Sequence, residues 1–172
     1  MIRRMLRAAY FDGRVYQELP ADPTATLQAF SVVLLGGISL GLGLSLGFFQ
    51  QGGLFTYIWV MTKALTAVLA VWVILGLFGY ILGLGALHRA ITFPTMLRAL
   101  GFANTPGLLY IFIGIGVSEN VALVINAVVF LWVLLATSVA VSRVLQLGPL
   151  GSFVLSVIGM GLGLFLRQLI IL

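Results

Sequence analysis

The sequence predicts an all-α, polytopic membrane protein: a five-transmembrane-helix bundle led by an N-terminal amphipathic helix lying at the bilayer interface. Three observations predict it. Hydrophobic residues make up 62% of the chain and charged residues only 8%, where a soluble domain carries about a quarter. The apolar residues fall in five runs of roughly twenty, the length that crosses a ~30 Å hydrocarbon core. The basic residues collect on one side of those runs. The runs show no two-residue alternation, so helices rather than barrel strands satisfy the backbone in lipid.

The elements follow in chain order. Residues 1–25 form a leader in which Ile2, Met5, Leu6 and Ala9 share one helical face and Arg3, Arg7 and Arg14 the other. Such a helix sits on anionic headgroups, each basic residue contributing roughly 1 kcal/mol near the surface. A solvated tail whose arginines keep it in the cytoplasm is the other reading. The leader mixes Asp12, Glu18 and Asp22 with its arginines and lacks the continuous apolar core of a cleaved signal.

The membrane domain covers residues 26–172. Its first span, 26–49, follows Pro23 and Thr24 and ends at Gln50, Gln51, Gly52 and Gly53. The second is 57–83. The third, 94–117, has Thr92 as its cap and Pro94 in its first turn, where the missing N–H costs nothing. The fourth, 120–142, is separated from the third only by Ser118 and Glu119. The fifth, 150–172, follows Gly148 and Pro149.

Charge placement sets the orientation. With the N-terminus inside, Arg3, Arg4, Arg7, Arg14, Arg89, Arg98 and Arg143 lie on the cytoplasmic side, against Lys63 and Arg167 on the other. The positive-inside rule therefore predicts N-terminus in and C-terminus out.

Several chemistries drop away. The chain has no cysteine, which removes disulfides and thiolate sites. His88, the lone histidine, sits in a loop beside Arg89 with no further metal ligand near it in sequence; it reads as a solvated side chain. No acid falls mid-span, so the carboxylate relays of proton pumps are missing. There is no phosphate-binding loop, and the arginines are too few and scattered for nucleic acid. The expectation is a non-enzyme without cofactor or metal.

Small residues recur every fourth position: Gly37, Gly41 and Ser45; Ser39, Gly43 and Gly47; Gly79 and Gly83; Gly159 and Gly163. This spacing lets helix backbones approach closely. It serves either packing within the bundle or an interface with a membrane-protein partner or a second copy. Near the outer ends stand Lys63, Glu119, Asn126, Arg167 and Gln168. Lys63 either pairs with Glu119 or snorkels to the headgroups; snorkelling is the reading for Arg167.

The densest polar stretch is 98–107, at the start of the third span. It carries Arg98, Asn104, Thr105, Pro106 and Gly107. Pro106 has no N–H to donate, so it frees the carbonyl near Phe102 and kinks the helix. The reading is a kink, with Arg98 anchored at the inner headgroups and Asn104 and Thr105 satisfying the opened backbone. The alternative is a broken-helix binding site of transporter type.

Residues 96–107, Met-Leu-Arg-Ala-Leu-Gly-Phe-Ala-Asn-Thr-Pro-Gly, resemble the arginine–aliphatic–glycine–phenylalanine–alanine…proline–glycine signature of bacterial Yip-domain membrane proteins. The leader's Tyr10-Phe11-Asp12, Val15-Tyr16-Gln17-Glu18 and Asp22-Pro23-Thr24-Ala25-Thr26 are similar to the start of that group. The end of the fourth span, residues 140–147 (Ala-Val-Ser-Arg-Val-Leu-Gln-Leu), matches it too. The resemblance implies a five-helix bundle with a cytoplasmic N-terminus in a bacterial inner membrane. Eukaryotic members bind Rab-type GTPases through a long cytosolic arm, which the leader of this chain is too short to supply. The leading expectation is a non-enzymatic membrane scaffold or organiser of Yip type. An accessory or assembly subunit of a respiratory or photosynthetic complex is the second. A small-solute transporter or channel using the kinked third span is the third, and it requires a polar cavity reaching Asn104.

Overall fold

The computed structural model describes residues 1–114 and 118–171, without the side chains of 47–52 and 166–171. Arg167 and Gln168 thus lie outside the described side chains. Among the described residues the chain is helical with no strand. The leader comprises α1 (Ile2–Ala9), α2 (Arg14–Glu18) and a 3-10 turn (Leu19–Ala21). Then come α3 (Ala25–Leu46) and α4 (Gly53–Gly85), α5 (Phe93–Ala103), a 3-10 segment (Thr105–Gly114), α6 (Glu119–Leu145) and α7 (Pro149–Ile171). Three of these, α3, α4 and α6, are long and apolar enough to cross a membrane; α5 and the 3-10 segment make a fourth when counted as one bent span.

Gly53 separates α3 from α4 with φ +66° and ψ −168°, a backbone that only glycine adopts without strain. The two helices then run antiparallel. A methyl at Gly37 would stand 2.8 Å from Leu65 and one at Gly41 2.7 Å from the Met61 sulfur. The other glycine rows also meet atoms of this chain: Gly43 the Tyr110 carbonyl, Gly79 Met96, Gly83 Ile91, Gly159 Leu75 and Gly163 Val71. Without a hydrophobic drive between helices in lipid, close backbone approach supplies the packing.

Alanine rows do the same work at the bundle centre. Ala25 and Ala29, Ala99 and Ala103, and Ala136 and Ala140 are all buried in one cluster. A methyl at Gly101 would stand 2.7 Å from the Ala29 methyl, so α3 and α5 pack nearly backbone to backbone. The outward faces are apolar as well, with Leu77 and Ile81 on α4, Leu123, Val124, Val128 and Leu131 on α6, and Val154 and Ile158 on α7 exposed. Soluble monomers rarely leave so much contiguous apolar surface open. The distribution is compatible with a chain embedded in lipid.

α4, α5 and α6 converge at one end of the bundle, where Arg89 donates to the Gln146 side chain at 3.0 Å. We call this the basic end. His88 is exposed there. Glu119 and the Gly53 turn mark the far end.

These contacts set the first expected outcome. Gly43→Leu drives a side chain into the Tyr110 carbonyl and lowers stability in detergent by about 1–3 kcal/mol, the usual cost of overpacking. Gly161→Leu enters open space and leaves stability within about 0.5 kcal/mol. Thermal unfolding of both variants checks this.

Candidate functional site

The third span breaks where the sequence predicts. Thr92 caps α5 through the Thr95 N–H, and Pro94 lies in the first turn. After Ala103 the chain turns by 42° into the 3-10 segment. Pro106 leaves the Phe102 carbonyl, four residues back, without its ladder partner. Thr105 Oγ1 donates to that carbonyl at 2.6 Å. The Gly107 N–H closes a turn onto the Asn104 carbonyl at 2.9 Å.

A neighbouring helix completes the repair. Ser39 Oγ on α3 donates to the Leu108 carbonyl and accepts from the Ile111 N–H at 3.0 Å. The sequence marks Ser39 only as a member of a small-residue row. Its polar role depends on which helix faces the break, which spacing within one span does not reveal. Gly43 and Gly114 bring the same two backbones together one turn further on.

One expectation at this motif is corrected, and Arg98 gains partners that the sequence did not name. Asn104 does not mend the backbone. Its amide lies across from Gly36, where an added methyl would come within 2.7 Å of Nδ2, and among the described residues it makes no side-chain hydrogen bond. Thr105 is nearer the freed carbonyl and takes it. Arg98 fastens the leader to α5. Its Nε donates to Thr26 Oγ1 at 2.7 Å, and Nη1 donates to the carbonyls of Leu19 at 3.1 Å and Pro20 at 3.2 Å. The leader folds back over α5, so the carbonyls at the end of its last turn are the acceptors within reach.

The leader is therefore docked by part of its surface. Met5, Ala8, Val15, Tyr16 and Leu19 are buried in the cluster with Phe102 and Ala103, and Trp132 Nε1 donates to the Ala9 carbonyl at 2.9 Å. Ile2, Leu6 and Tyr10 remain exposed. Arg7 pairs with Asp12 and Glu18 at 2.8 Å each, and Arg4 pairs with Asp22. Thr24 and Arg4 hold the Asp22 carboxyl down at about 2. Arg7 and the Arg14 N–H hold Asp12 below its usual range. Burial pushes the Tyr16 phenol well up, and its hydroxyl finds no partner among the described residues.

Beside the break lies a cavity of about 360 Å³. Asn104 and Tyr110 reach it from the broken span, Asn126, Phe130 and Thr137 from α6, and Trp72 from α4. Met160 and Leu164 of α7 complete one wall, and no charged side chain is among the lining residues described. Trp72 is fixed by donating its indole N–H to the Leu97 carbonyl at 3.0 Å. Thr137 is buried yet forgoes the usual bond to the carbonyl one turn back, which Ser138, Ser152 and Ser156 all make. Among the described residues, neither its hydroxyl nor the Asn126 amide has a hydrogen-bond partner.

The remaining polar residues stay apart from this cavity. Lys63 stands with Nζ 5.3 Å from the centre of the Trp59 ring, a cation–π contact on its own helix. Glu119 is exposed in the first turn of α6. No Lys63–Glu119 ion pair is seen among the described residues. Of the eight residues singled out from the sequence, Asn104 and Asn126 meet at the cavity, while Arg98, Thr105, Pro106 and Gly107 shape the break. No protein-family model, curated protein or solved structure matches the chain.

Two outcomes follow for the leader. Arg98→Gln removes charge-assisted bonds, each contributing about 1.5–3 kcal/mol, so trypsin cleavage after Arg14 rises tenfold or more while the span helices persist by circular dichroism. Acid acts similarly. Asp12 and Asp22 have folded pKa values below the ordinary ~3.9, so their ties hold above that value and are lost as pH falls through about 2. Hydrogen exchange of residues 1–25 should accelerate between about pH 4 and 2.

Proposed function

We propose that this chain is a non-enzymatic integral membrane protein of five spans, N-terminus in the cytoplasm and C-terminus outside, that holds a small molecule at its broken third span. The carrying observation is the cavity that Asn104 reaches from the break. A kink that served structure alone would need Thr105 and Ser39. It would not need the Asn104 amide and the Thr137 hydroxyl to line a cavity with no hydrogen-bond partner among the described residues. Broken helices that expose polar groups at membrane depth are how transporters build binding sites.

The form of the cavity favours a binding protein over an open channel. Toward the basic end, Met96, Leu100, Val141 and Leu145 are buried together, and only a void of about 20 Å³ lies among them. The resemblance to Yip-type organisers remains a second reading. The docked leader favours it, because exposed Ile2, Leu6 and Tyr10 beside Arg3 and Arg14 make a fixed amphipathic face for anionic headgroups. Partner proteins, including those of a larger complex, would then dock on a rigid surface rather than on a free arm.

The test is purification in mild detergent followed by native mass spectrometry. The wild-type protein should retain a small-molecule adduct that Asn104→Leu loses at unchanged thermal stability of the ligand-free form, since the amide makes no hydrogen bond among the described residues. Stoichiometric protein partners without an adduct would favour the second reading. Reporters fused after residues 88, 147 and 172 should lie in, in and out; a cytoplasmic reporter at residue 172 overturns the topology.

A further inference from the structure

We infer that the cavity takes an uncharged, mostly apolar molecule with a hydrogen-bonding head, and that this molecule enters sideways from the bilayer between α6 and α7. The inference rests on the reading of the cavity as a binding site and adds the class of ligand and its route.

The head group follows from the polar atoms. The Asn104 amide offers two donors and an acceptor, and the Thr137 hydroxyl offers one donor and accepts as well. Neither has a hydrogen-bond partner among the described residues. A carbonyl, hydroxyl or carboxamide answers both. An ion does not: with no charged side chain among the described lining residues, burying a bare charge there carries a solvation penalty that hydrogen bonds to neutral groups do not offset. The body follows from the rest of the wall, which is aliphatic and aromatic: Val71, Trp72, Phe130, Val133, Met160 and Leu164. The volume falls at the small end of ligand pockets.

The route follows from what closes the cavity and what does not. The basic end is filled by Met96, Leu100, Val141 and Leu145. On the opposite side two lining residues, Asn126 of α6 and Leu164 of α7, are exposed. These helices present apolar outer faces, so a molecule entering past Asn126 and Leu164 comes from the lipid side. Asn126 stands seven residues into α6, about 10 Å along the helix, where a polar amide can pass the head group inward to Asn104 and Thr137.

The experiment compares two probes of equal chain length in nanodiscs at pH 8. One is a diazirine-bearing decanamide and the other the matching decanoate, which is charged. Decanamide should label peptides of α6 around Asn126 and Phe130 and of α7 around Met160, saturably and in competition with unlabelled decanamide. Decanoate should label at least tenfold less. Thr137→Val is nearly isosteric and removes a hydroxyl with no hydrogen-bond partner among the described residues; it should raise the half-saturating concentration five- to tenfold. Leu164→Trp should slow labelling by narrowing the mouth without changing the residues labelled. Equal labelling by decanoate, or an unaltered Thr137→Val, overturns the ligand class while leaving the cavity a site. Undiminished labelling rate in Leu164→Trp overturns the route. No saturable labelling by either probe removes both this inference and the binding reading beneath it.

Discussion

The structure depends on one missing hydrogen. Pro106 cannot donate to the Phe102 carbonyl, and in an apolar interior that carbonyl has no water to turn to. Everything near the third span answers this constraint. Thr105 takes the freed carbonyl. The chain tightens into a 3-10 segment, and Ser39 reaches across to serve one donor and one acceptor of it. For Ser39 to reach, α3 must lie against the segment, and glycines at 43 and 114 remove the side chains that would hold the backbones apart. The bend then carries the broken span away from a straight helical path, and the space it leaves is bounded by α4, α6 and α7.

The same short helix joins this break to the leader. Arg98, near the start of α5, fastens the last turn of the leader and the first turn of α3. Phe102 and Ala103, at its end, share a buried cluster with Tyr16 and Leu19. Asn104 follows at once. The leader thus bears on one side of α5 and the cavity lies on another. A change in the leader's seat would be felt at the break through packed side chains rather than through a flexible tether.

Much of this was legible in the sequence, for identifiable reasons. Composition and run length predict apolar helices because lipid tolerates little else, and Gly53, Thr92, Pro94 and Pro106 act through local backbone chemistry that neighbours do not override. Asn104 was found but given the wrong task. Choosing between Thr105 and Asn104 for the freed carbonyl depends on side-chain reach after the bend, which a linear reading does not hold. The partners of Arg98 were not legible, because Leu19, Pro20 and Thr26 lie more than 70 residues before it in the chain. Ser39, Trp132 and Thr137 were not distinguished at all. Each matters through a partner, or the lack of one, on an element 60 or more residues away in the chain. The alanine rows were overlooked because alanine is ordinary in any helix, and only burial separates a packing row from a lipid-facing one.

Among the described residues Asn104 and Thr137 have no hydrogen-bond partner, and both line the cavity. A hydroxyl on a helix has a local acceptor at hand, one turn back, and Thr62, Thr66, Ser138, Ser152 and Ser156 use it. Thr137 is built into the same kind of helix and turns away. Both groups front the cavity, and in the proposed reading a bound molecule meets them without displacing any bond described. In the proposed reading specificity has the same source as affinity: an analogue lacking the polar head gains neither bond, and a charged one finds no countercharge among the lining residues described.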